Sequence, residues 1–287
     1  MKEGLNKGIH ALGLSQKWHR QNYGLIGNAA NRKRLQILEE LLLEPTFHLV
    51  KEEITSRKKD SLRLLHWNCG LGELSLKIAD KFRGKLEVVG IDSNLNNLEI
   101  ARQHVKGKEG DNLTFHSMHK LSSAELFQFD IVFGQFLLST HSESQALLRK
   151  CKEYLKKGGC LIMQEMNFSQ FHCYPTSFAF GQFQELYQSS MKLQGLDPAI
   201  GSRMNTLLEE LGFTVLKAEV IPPIFLAPHH KQLVSVCLES IGQSILNQKL
   251  SIPAELHALV CELQNFEQKC NTMIGLPAIY QSVAQSS

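Results

Sequence analysis

The chain has 287 residues, of which 43% are hydrophobic and 21% are charged, a balance typical of a globular protein and not of a disordered, collagen-like or coiled-coil chain. The 31 basic and 28 acidic residues leave a net charge of +3, and the positive charges are spread along the chain, so composition indicates neither a nucleic-acid nor a membrane-surface partner. At roughly 150 residues per domain, the length allows one large domain or two small ones.

Cysteine usage and apolar runs favour a cytoplasmic protein without a membrane span. The seven cysteines include no C-x-x-C pair, so we expect buried thiols in a reducing compartment. The first twenty residues hold no apolar run of the length that a secretory signal needs. No segment approaches the roughly 20 apolar residues of a transmembrane helix.

The first sixty residues contain one clear amphipathic helix, Arg34 to Leu43, followed by a charged stretch to Asp60 that is typical of a solvated connector. Between residues 61 and 165, short apolar runs alternate with helical periodicity, which indicates crossover units and a parallel sheet. The predicted strands are Leu62–Trp67, Leu86–Ile91, Leu113–Ser117, Phe129–Gly134 and Gly159–Gln164.

Residues after 165 do not continue the alternating strand and helix pattern of residues 61–165. An aromatic segment spans 168–187, a helix is predicted from Ser202 to Leu211, and a strand from Phe213 to Ile221. Two further amphipathic helices follow. The apolar run from Met273 to Val283 predicts a final strand, and Pro277 favours an edge position for it because proline lacks a backbone donor.

The sharpest local pattern is a predicted strand that runs from Leu64 through Gly70 and Gly72 into a helix. Glycines there let the backbone approach a ligand closely, and the helix N-terminus offers free N–H groups. Asp92 ends the second predicted strand, where an acidic side chain can accept hydrogen bonds from both hydroxyls of a ribose. Together these features predict a cofactor that carries a nucleoside.

Two kinds of nucleoside cofactor fit this pattern. Gly70-x-Gly72-x-x-Ser75 differs by one residue from the dinucleotide fingerprint, so a dinucleotide-dependent oxidoreductase is one alternative. The sequence also resembles the class I S-adenosylmethionine-dependent methyltransferases. The matching pieces are Leu64 to Gly72, Val89-Gly90-Ile91-Asp92-Ser93, Phe129-Asp130-Ile131-Val132 and Leu155-Lys156-Lys157-Gly158-Gly159.

The resemblance extends to both ends of the chain. Gly195 to Phe213 is similar to the segment before strand six in small-molecule methyltransferases of the ubiquinone-biosynthesis-like type, and Tyr23 to Leu35 is similar to their N-terminal lid. The family implies a Rossmann-like, mostly parallel seven-stranded α/β sheet with helices on both faces and an added helical lid. It divides the chain into a lid and connector (1–60), a cofactor-binding core (61–165) and a substrate-side helical segment with the last two strands (166–287).

The family implies S-adenosyl-L-methionine as the cofactor and a set of binding residues. These are Tyr23, Asn68, Gly70, Gly72, Asp92, Ser93, His119 and Gln135. Gly70 and Gly72 would border the methionine part, Asp92 would hold the ribose, and Gln135 would lie by the methionyl amino group. Local alternatives remain open, such as glycines serving only a turn and Asp92 capping the helix near Asn94.

The chain departs from the family at His66, Asn68 and His119. His66 stands where the family usually has an acid, and a neutral imidazole cannot replace that charge near the cationic end of the cofactor. Asn68 stands at a glycine of the loop, and His119 where an aspartate commonly contacts adenine. These departures support a second hypothesis, a catalytically inactive methyltransferase-like binding protein.

Methyl transfer to an activated sulfonium carbon needs positioning and exclusion of water more than a protein nucleophile. If the acceptor must lose a proton, the candidate bases are Glu165, His172 and Tyr174. The density of aromatic residues at 168–187 favours a small, apolar or aromatic acceptor. Neither the His116 and His119 pair nor the adjacent His229 and His230 is predicted to bind metal.

Overall fold

The computed structural model describes residues 29–105, 112–121 and 128–286. Its strands are β1 (Leu62–Trp67), β2 (Leu86–Asp92), β3 (Leu113–Ser117), β4 (Phe129–Gln135), β5 (Leu155–Met166), β6 (His172–Tyr174), β7 (Phe213–Ile221), β8 (Ile224–Phe225), β9 (Met273–Gly275) and β10 (Ile279–Ser286). Its helices are α1 (Ala29–Ser56), α2 (Glu73–Lys81), α3 (Leu95–Val105), α4 (Ser144–Tyr154), α5 (Phe178–Leu193), α6 (Ile200–Glu210), α7 (Pro228–Lys231), α8 (Leu233–Asn247) and α9 (Pro253–Gln268).

Seven strands form one sheet in the order β3-β2-β1-β4-β5-β10-β7. The first five pair in parallel, and β10 runs antiparallel to both β5 and β7. The inner strands β1 and β4 are almost entirely buried, as expected for strands covered by helices on both faces. The expected mostly parallel, seven-stranded Rossmann-like sheet is therefore confirmed.

Each face of the sheet carries its own apolar core. On one face, α4 and α6 contribute residues such as Leu148 and Leu208. On the other, α2, α3 and the second half of α1 contribute residues such as Ile78, Leu98 and Ile54. Because the crossover helices all begin beyond the carboxyl ends of their strands, the helix N-termini gather at one edge of the sheet, where ligands of such sheets bind.

The final apolar run is not one edge strand as predicted. It divides at Pro277 into β9 and β10, and β10 lies in the interior of the main sheet between β5 and β7. The prediction was wrong because the proline lies outside both strands, so β10 keeps its backbone donors for two neighbours. Strand β9 instead joins β6 and β8 in a small three-stranded sheet.

The helix predicted to end at Leu43 continues to Ser56, and Pro45 lies inside it. The prediction of a solvated connector from residue 44 onward was therefore wrong for residues 44–56. The second half of the helix buries Phe47, Val50 and Ile54 against the core of the main sheet. This burial outweighs the roughly 3 kcal/mol that an interior proline costs a helix.

A third apolar cluster joins the first half of α1 to α5, α8 and α9 above the sheet edge. Leu38 of α1, Phe183 of α5 and Leu238 of α8 are among its buried members. Within the described ranges, no helix combines the length and apolar character needed to cross a bilayer.

Candidate functional site

A cleft lies at the carboxyl ends of β1, β2 and β4, with α1 as its roof. About 880 Å³ of space lies between its walls, part of it open to solvent. Its wall combines residues from the three strand ends with residues of α1 and of the segment after β4. The wall includes Arg34, Leu38, Glu39, Asn68, Gly70, Asp92, Ser93, Gln135, Phe136, Thr140 and His141.

The loop after β1 forms one side of the cleft. Asn68 and Gly70 both have left-handed backbone conformations, with φ angles of 65° and 58°. Asparagine tolerates this conformation better than most side chains, and Asn68 also donates from Nδ2 to the carbonyl of Gln135 at 3.0 Å. The asparagine thus replaces a glycine while tying the loop to the end of β4.

Asp92 connects this loop to the end of β2. Its Oδ2 accepts a hydrogen bond from the N–H of Gly70 at 3.0 Å, and its Oδ1 accepts one from the N–H of Asn94 at 2.7 Å. Asn94 caps α3 through its own side chain, so Asp92 is not needed as the helix cap. Burial raises the pKa of Asp92 to about 6. The N–H of Ser93 and the side chain of Asn97 also hydrogen-bond to this carboxylate. A carboxylate has about four acceptor positions, so a ligand in the cleft would take the place of one or more of these partners.

Gly72 is the one predicted glycine that faces away from the cleft. A Cβ built on it would lie 2.8 Å from Cβ of Ala101 and from Cζ of Phe115. Its φ angle is 85°. The residue therefore allows α2 to pack closely on α3 and β3, a role in the fold and not in the cleft wall.

Glu39 of α1, a residue that was not among the predicted site residues, brings a carboxyl group into the cleft. The N–H groups of Leu71 and Glu73 donate to this carboxylate, while burial and the nearby Glu73 and Asp92 carboxylates raise its pKa to about 8. Its Oε1 lies 3.6 Å from the position that a Cβ on Gly70 would occupy. Glu39 thus caps the N-terminus of α2 and borders the loop after β1.

A signal for Glu39 is present in the sequence. Leu35, Leu38 and Leu42 fall at the positions i, i+3 and i+7 of a helix, and Glu39 occupies i+4 on the same stripe. An acid in the middle of an apolar stripe is unusual, because it must be buried with the stripe unless a polar site receives it.

His66, which stands where the family usually has an acid, lies beneath the cleft in the core. Its Nδ1 is 2.7 Å from Oγ of Ser75, and its ring packs against Phe133 with centroids 4.8 Å apart. Burial lowers the pKa of His66 to about 3, so the imidazole is neutral. The carboxylate missing from β1 is not replaced on β1 itself; a carboxylate reaches the same loop from α1.

A second cavity adjoins the cleft on the side of the aromatic segment. The two cavities share Arg34, Leu38, Phe136 and Thr140. The second cavity is bordered mainly by apolar residues, which are Met166, Phe168, Phe171, Tyr187, Met191, Leu196, Leu233, Cys237, Ile241 and Leu276. Of the described residues that line it, none is an aspartate, a glutamate or a histidine, and Arg34 is the one cation.

Two residues mark the boundary between the cavities. Phe136 has a φ angle of 50°, which is strained for a bulky side chain and is found mainly at functional sites. Arg34 donates through Nε and Nη2 to Oδ1 of Asn31 at 3.2 and 3.0 Å. Arg34 lies close enough to Tyr187 to favour its ionised form electrostatically, although burial raises the pKa of the hydroxyl overall.

None of the three predicted base candidates lines either cavity. Glu165 is fully buried and accepts hydrogen bonds from the N–H groups of Leu138 and Ser139 at 2.6 and 3.1 Å. His172 and Tyr174 are exposed on β6. Tyr23 and the side chain of His119 lie outside the described residues. Of the predicted cofactor residues, Asn68, Gly70, Asp92, Ser93 and Gln135 meet at the cleft.

Comparison with solved structures shows the fold. The 4+2 cyclase SpnF aligns with a TM-score of 0.50 at 15% identity, covering 83% of this chain and 80% of the other. The YcgJ protein of Bacillus subtilis aligns with a TM-score of 0.52 at 12% identity, covering 83% and 98%. Because one of these proteins is a cyclase, the shared fold alone does not identify the reaction.

Comparison of sequences identifies the family. A ubiquinone biosynthesis O-methyltransferase of Cereibacter sphaeroides is 32% identical over 125 residues, which are 42% of this chain and 45% of the relative. The protein of the same name from Dinoroseobacter shibae is 33% identical over 119 residues, 41% and 44% of the two chains. The chain thus matches less than half the length of these curated relatives.

A family model described as a methyltransferase domain matches residues 58–210, more than half of the chain. These residues include the loop after β1, Asp92 and all five parallel strands, and the chain belongs to the class I S-adenosylmethionine-dependent methyltransferases.

Proposed function

We propose that this protein transfers the methyl group of S-adenosylmethionine to a small, apolar or aromatic acceptor. One observation carries the proposal. The carboxyl groups of Glu39 and Asp92 border the same loop in a cleft that shares four lining residues with an apolar cavity. The cleft suits a cationic nucleoside, and the apolar cavity suits its reaction partner.

The charges of the cleft suit this cofactor. S-adenosylmethionine carries a ribose diol near one end and an ammonium and a sulfonium near the other. Asp92 offers a carboxylate to the diol, which would replace some of its present hydrogen-bond partners, and Glu39 offers a carboxylate to the cationic end. Asn68 and Gly70 leave the loop backbone close to the ligand because their left-handed conformations turn the chain sharply there.

The same contacts disfavour the oxidoreductase alternative. A dinucleotide places its pyrophosphate on the N–H groups at the start of the helix after β1. Here the carboxylate of Glu39 already accepts hydrogen bonds from Leu71 and Glu73 at that helix start. A pyrophosphate would have to displace the Glu39 side chain from these N–H groups or keep it protonated, whereas a cationic ligand favours its ionised form.

The cofactor supplies a methyl group on a positively charged sulfur, which is already activated for transfer. The residues of this chain have to bind, orient and dehydrate the two reactants. The apolar cluster between α1, α5 and α8 excludes water from the boundary between the cavities, since residues of this cluster such as Phe183 and Leu238 are fully buried. Phe136, held in its strained conformation between the two cavities, defines where the acceptor ends and the cofactor begins.

Arg34 favours an acceptor that reacts as an anion. It lies at the boundary of the two cavities, and no described lining residue of the second cavity is acidic. A guanidinium in apolar surroundings lowers the pKa of a nearby hydroxyl and stabilises the oxyanion. The relatives are named for O-methyl transfer in ubiquinone biosynthesis. These observations together support an acidic hydroxyl, such as that of a phenol, as the acceptor.

Binding and turnover distinguish the three hypotheses. Isothermal titration calorimetry with S-adenosylhomocysteine and with NADH shows which cofactor binds, and release of S-adenosylhomocysteine from S-adenosylmethionine is then followed with a panel of apolar phenols and their methyl ethers. Turnover of phenols that is lost in Arg34→Gln, with cofactor affinity unchanged, supports the proposal. Binding without turnover across the panel would favour the inactive binding protein, and binding of NADH alone would favour the oxidoreductase.

A further inference from the structure

One group of three metal-ligating side chains stands out within the described part of the chain. The group consists of Glu40, His229 and His230, whose donor atoms all lie within 4.8 Å of one another. Oε1 of Glu40 is 3.3 Å from Nε2 of His230 and 3.8 Å from Nε2 of His229. The three residues are distant in the sequence but adjacent in space, because α7 packs beside the first half of α1.

The distances fit a tetrahedral ion. With metal–ligand bonds of roughly 2.0–2.1 Å, neighbouring ligand atoms of a tetrahedral zinc site lie about 3.4 Å apart. The observed separations between the Glu40 oxygen and the two imidazole nitrogens bracket this value. Two imidazoles and one carboxylate are also a ligand set that zinc uses in sites that keep one position for water.

The two histidines stand on a rigid piece of backbone. Lys231, the next residue, is fully buried, and its Nζ donates to the carbonyl of Lys269 at 2.7 Å and to Oγ1 of Thr272 at 2.8 Å. The ring of His230 packs against Phe225 with centroids 5.7 Å apart. The His229 and His230 rings lie 3.8 Å apart, turned toward the same glutamate. The backbone that carries the two histidines is therefore already held in place before an ion binds.

We propose that Glu40, His229 and His230 form a binding site for a divalent transition metal ion, with Zn²⁺ as the best fit. The ion would be held at the surface, since Glu40 and His229 are each 61% exposed. It would join α1 to the segment between β8 and α8. Because α1 also carries Glu39 and Arg34, the ion would hold this helix in position over the cleft while itself lying outside the cleft.

The geometry assigns the ion no part in the methyl transfer. None of the three ligands is among the described residues that line either cavity. The inference therefore does not depend on the proposed function, and a measurement of metal binding alone tests it.

Zn²⁺ titration of the full chain by isothermal titration calorimetry tests the site. We expect one ion per chain, and an affinity at least tenfold lower in Glu40→Gln and in His230→Gln, since even the loss of an outer partner of a metal ligand costs about 10–100-fold. His48→Gln removes an exposed histidine of the same helix and should leave the affinity unchanged. The wild type should melt at a higher temperature with Zn²⁺ than with EDTA, and this shift should be lost in His230→Gln.

The exposed thiols need a separate control. Cys261 lies 3.7 Å from Nε2 of His257 and could itself hold a soft metal ion. Co²⁺ separates the two sites, because binding to imidazole and carboxylate gives visible bands without a thiolate charge-transfer band. A thiolate band that disappears in Cys261→Ser, or binding that is unaffected by Glu40→Gln and His230→Gln, would overturn the proposal, as would the absence of any binding.

Discussion

The N–H of Gly70 donates a 3.0 Å hydrogen bond to Oδ2 of Asp92, so the carboxylate at the end of β2 holds the loop after β1 in place. The same carboxylate borders the cleft. Asp92 therefore shapes the loop and at the same time borders the proposed cofactor site.

Asp92→Asn should weaken binding of S-adenosylhomocysteine by about 10–100-fold. A hydrogen bond to a charged group contributes roughly 1.5–3 kcal/mol, and each 1.4 kcal/mol is about tenfold in affinity. Calorimetric titration measures the loss, and Asp80→Asn, at an exposed position, serves as the control. Unchanged affinity in a folded Asp92→Asn protein would mean that Asp92 serves only the loop.

Glu39 should make cofactor binding release a proton near neutral pH. In the free protein the pKa of Glu39 is raised from 4.5 to about 8, so the group is largely protonated at pH 7. A cationic ligand favours the ionised form and lowers that pKa. Calorimetry in two buffers of different ionisation enthalpy measures the proton released, and Glu39→Gln should abolish it. Equal proton release in the wild type and Glu39→Gln would show that another group loses the proton.

Glu39 should also lower the stability of the free protein as pH rises. Because its pKa is higher in the folded than in the unfolded chain, the folded state holds the proton more tightly between pH 4.5 and about 8, and the free energy of unfolding falls across that range. The burial of Asp92 and Glu165 raises their pKa values only to about 6 and 7. Between pH 7 and 8 the slope should therefore be flatter in Glu39→Gln, as urea unfolding would measure. An equal slope in both proteins would contradict the assignment.

Gly72→Ala should destabilise the fold by about 2–5 kcal/mol. Its left-handed conformation costs a side chain roughly 1–2 kcal/mol, and the clash of a Cβ with Ala101 and Phe115 adds about 1–3 kcal/mol. Gly84→Ala is the matched control, because Gly84 has a similar φ angle of 80° but no atom within 4 Å of an added Cβ. Urea denaturation of both variants isolates the packing contribution. Equal losses would mean that α2 shifts to accept the methyl group.

Glu165→Gln should lower stability by about 1–3 kcal/mol and leave the affinity for S-adenosylhomocysteine unchanged. An amide can accept with only one of its two heavy atoms, so one of the buried N–H groups of Leu138 and Ser139 loses its partner. Thermal melting and calorimetry separate the two effects. A variant of wild-type stability that has lost turnover would instead restore Glu165 as a base. His172→Ala and Tyr174→Phe, at exposed positions, should keep full turnover.

The five parallel strands and half of the cleft follow from local patterns, while the other half of the cleft depends on packing. Gly70 and Asp92 were predictable because strand, turn and helix are adjacent in the sequence and parallel strands bring their carboxyl ends together. The same reasoning placed Gly72 in the cleft, although its missing side chain serves a contact with Ala101 and Phe115 that no local pattern specifies. Glu39 was missed because it reaches the loop only through the angle at which α1 crosses the sheet edge.

Helix α1 cannot act as a hinged flap over its whole length. Its first half covers the cleft with Arg34 and Glu39, but its second half is anchored in the core through Val50 and Ile54, both fully buried. Swinging the entire helix outward would expose that core to water. Any outward movement of α1 that widens the cleft is therefore confined to the residues before Pro45, where the missing backbone hydrogen bond makes bending easiest.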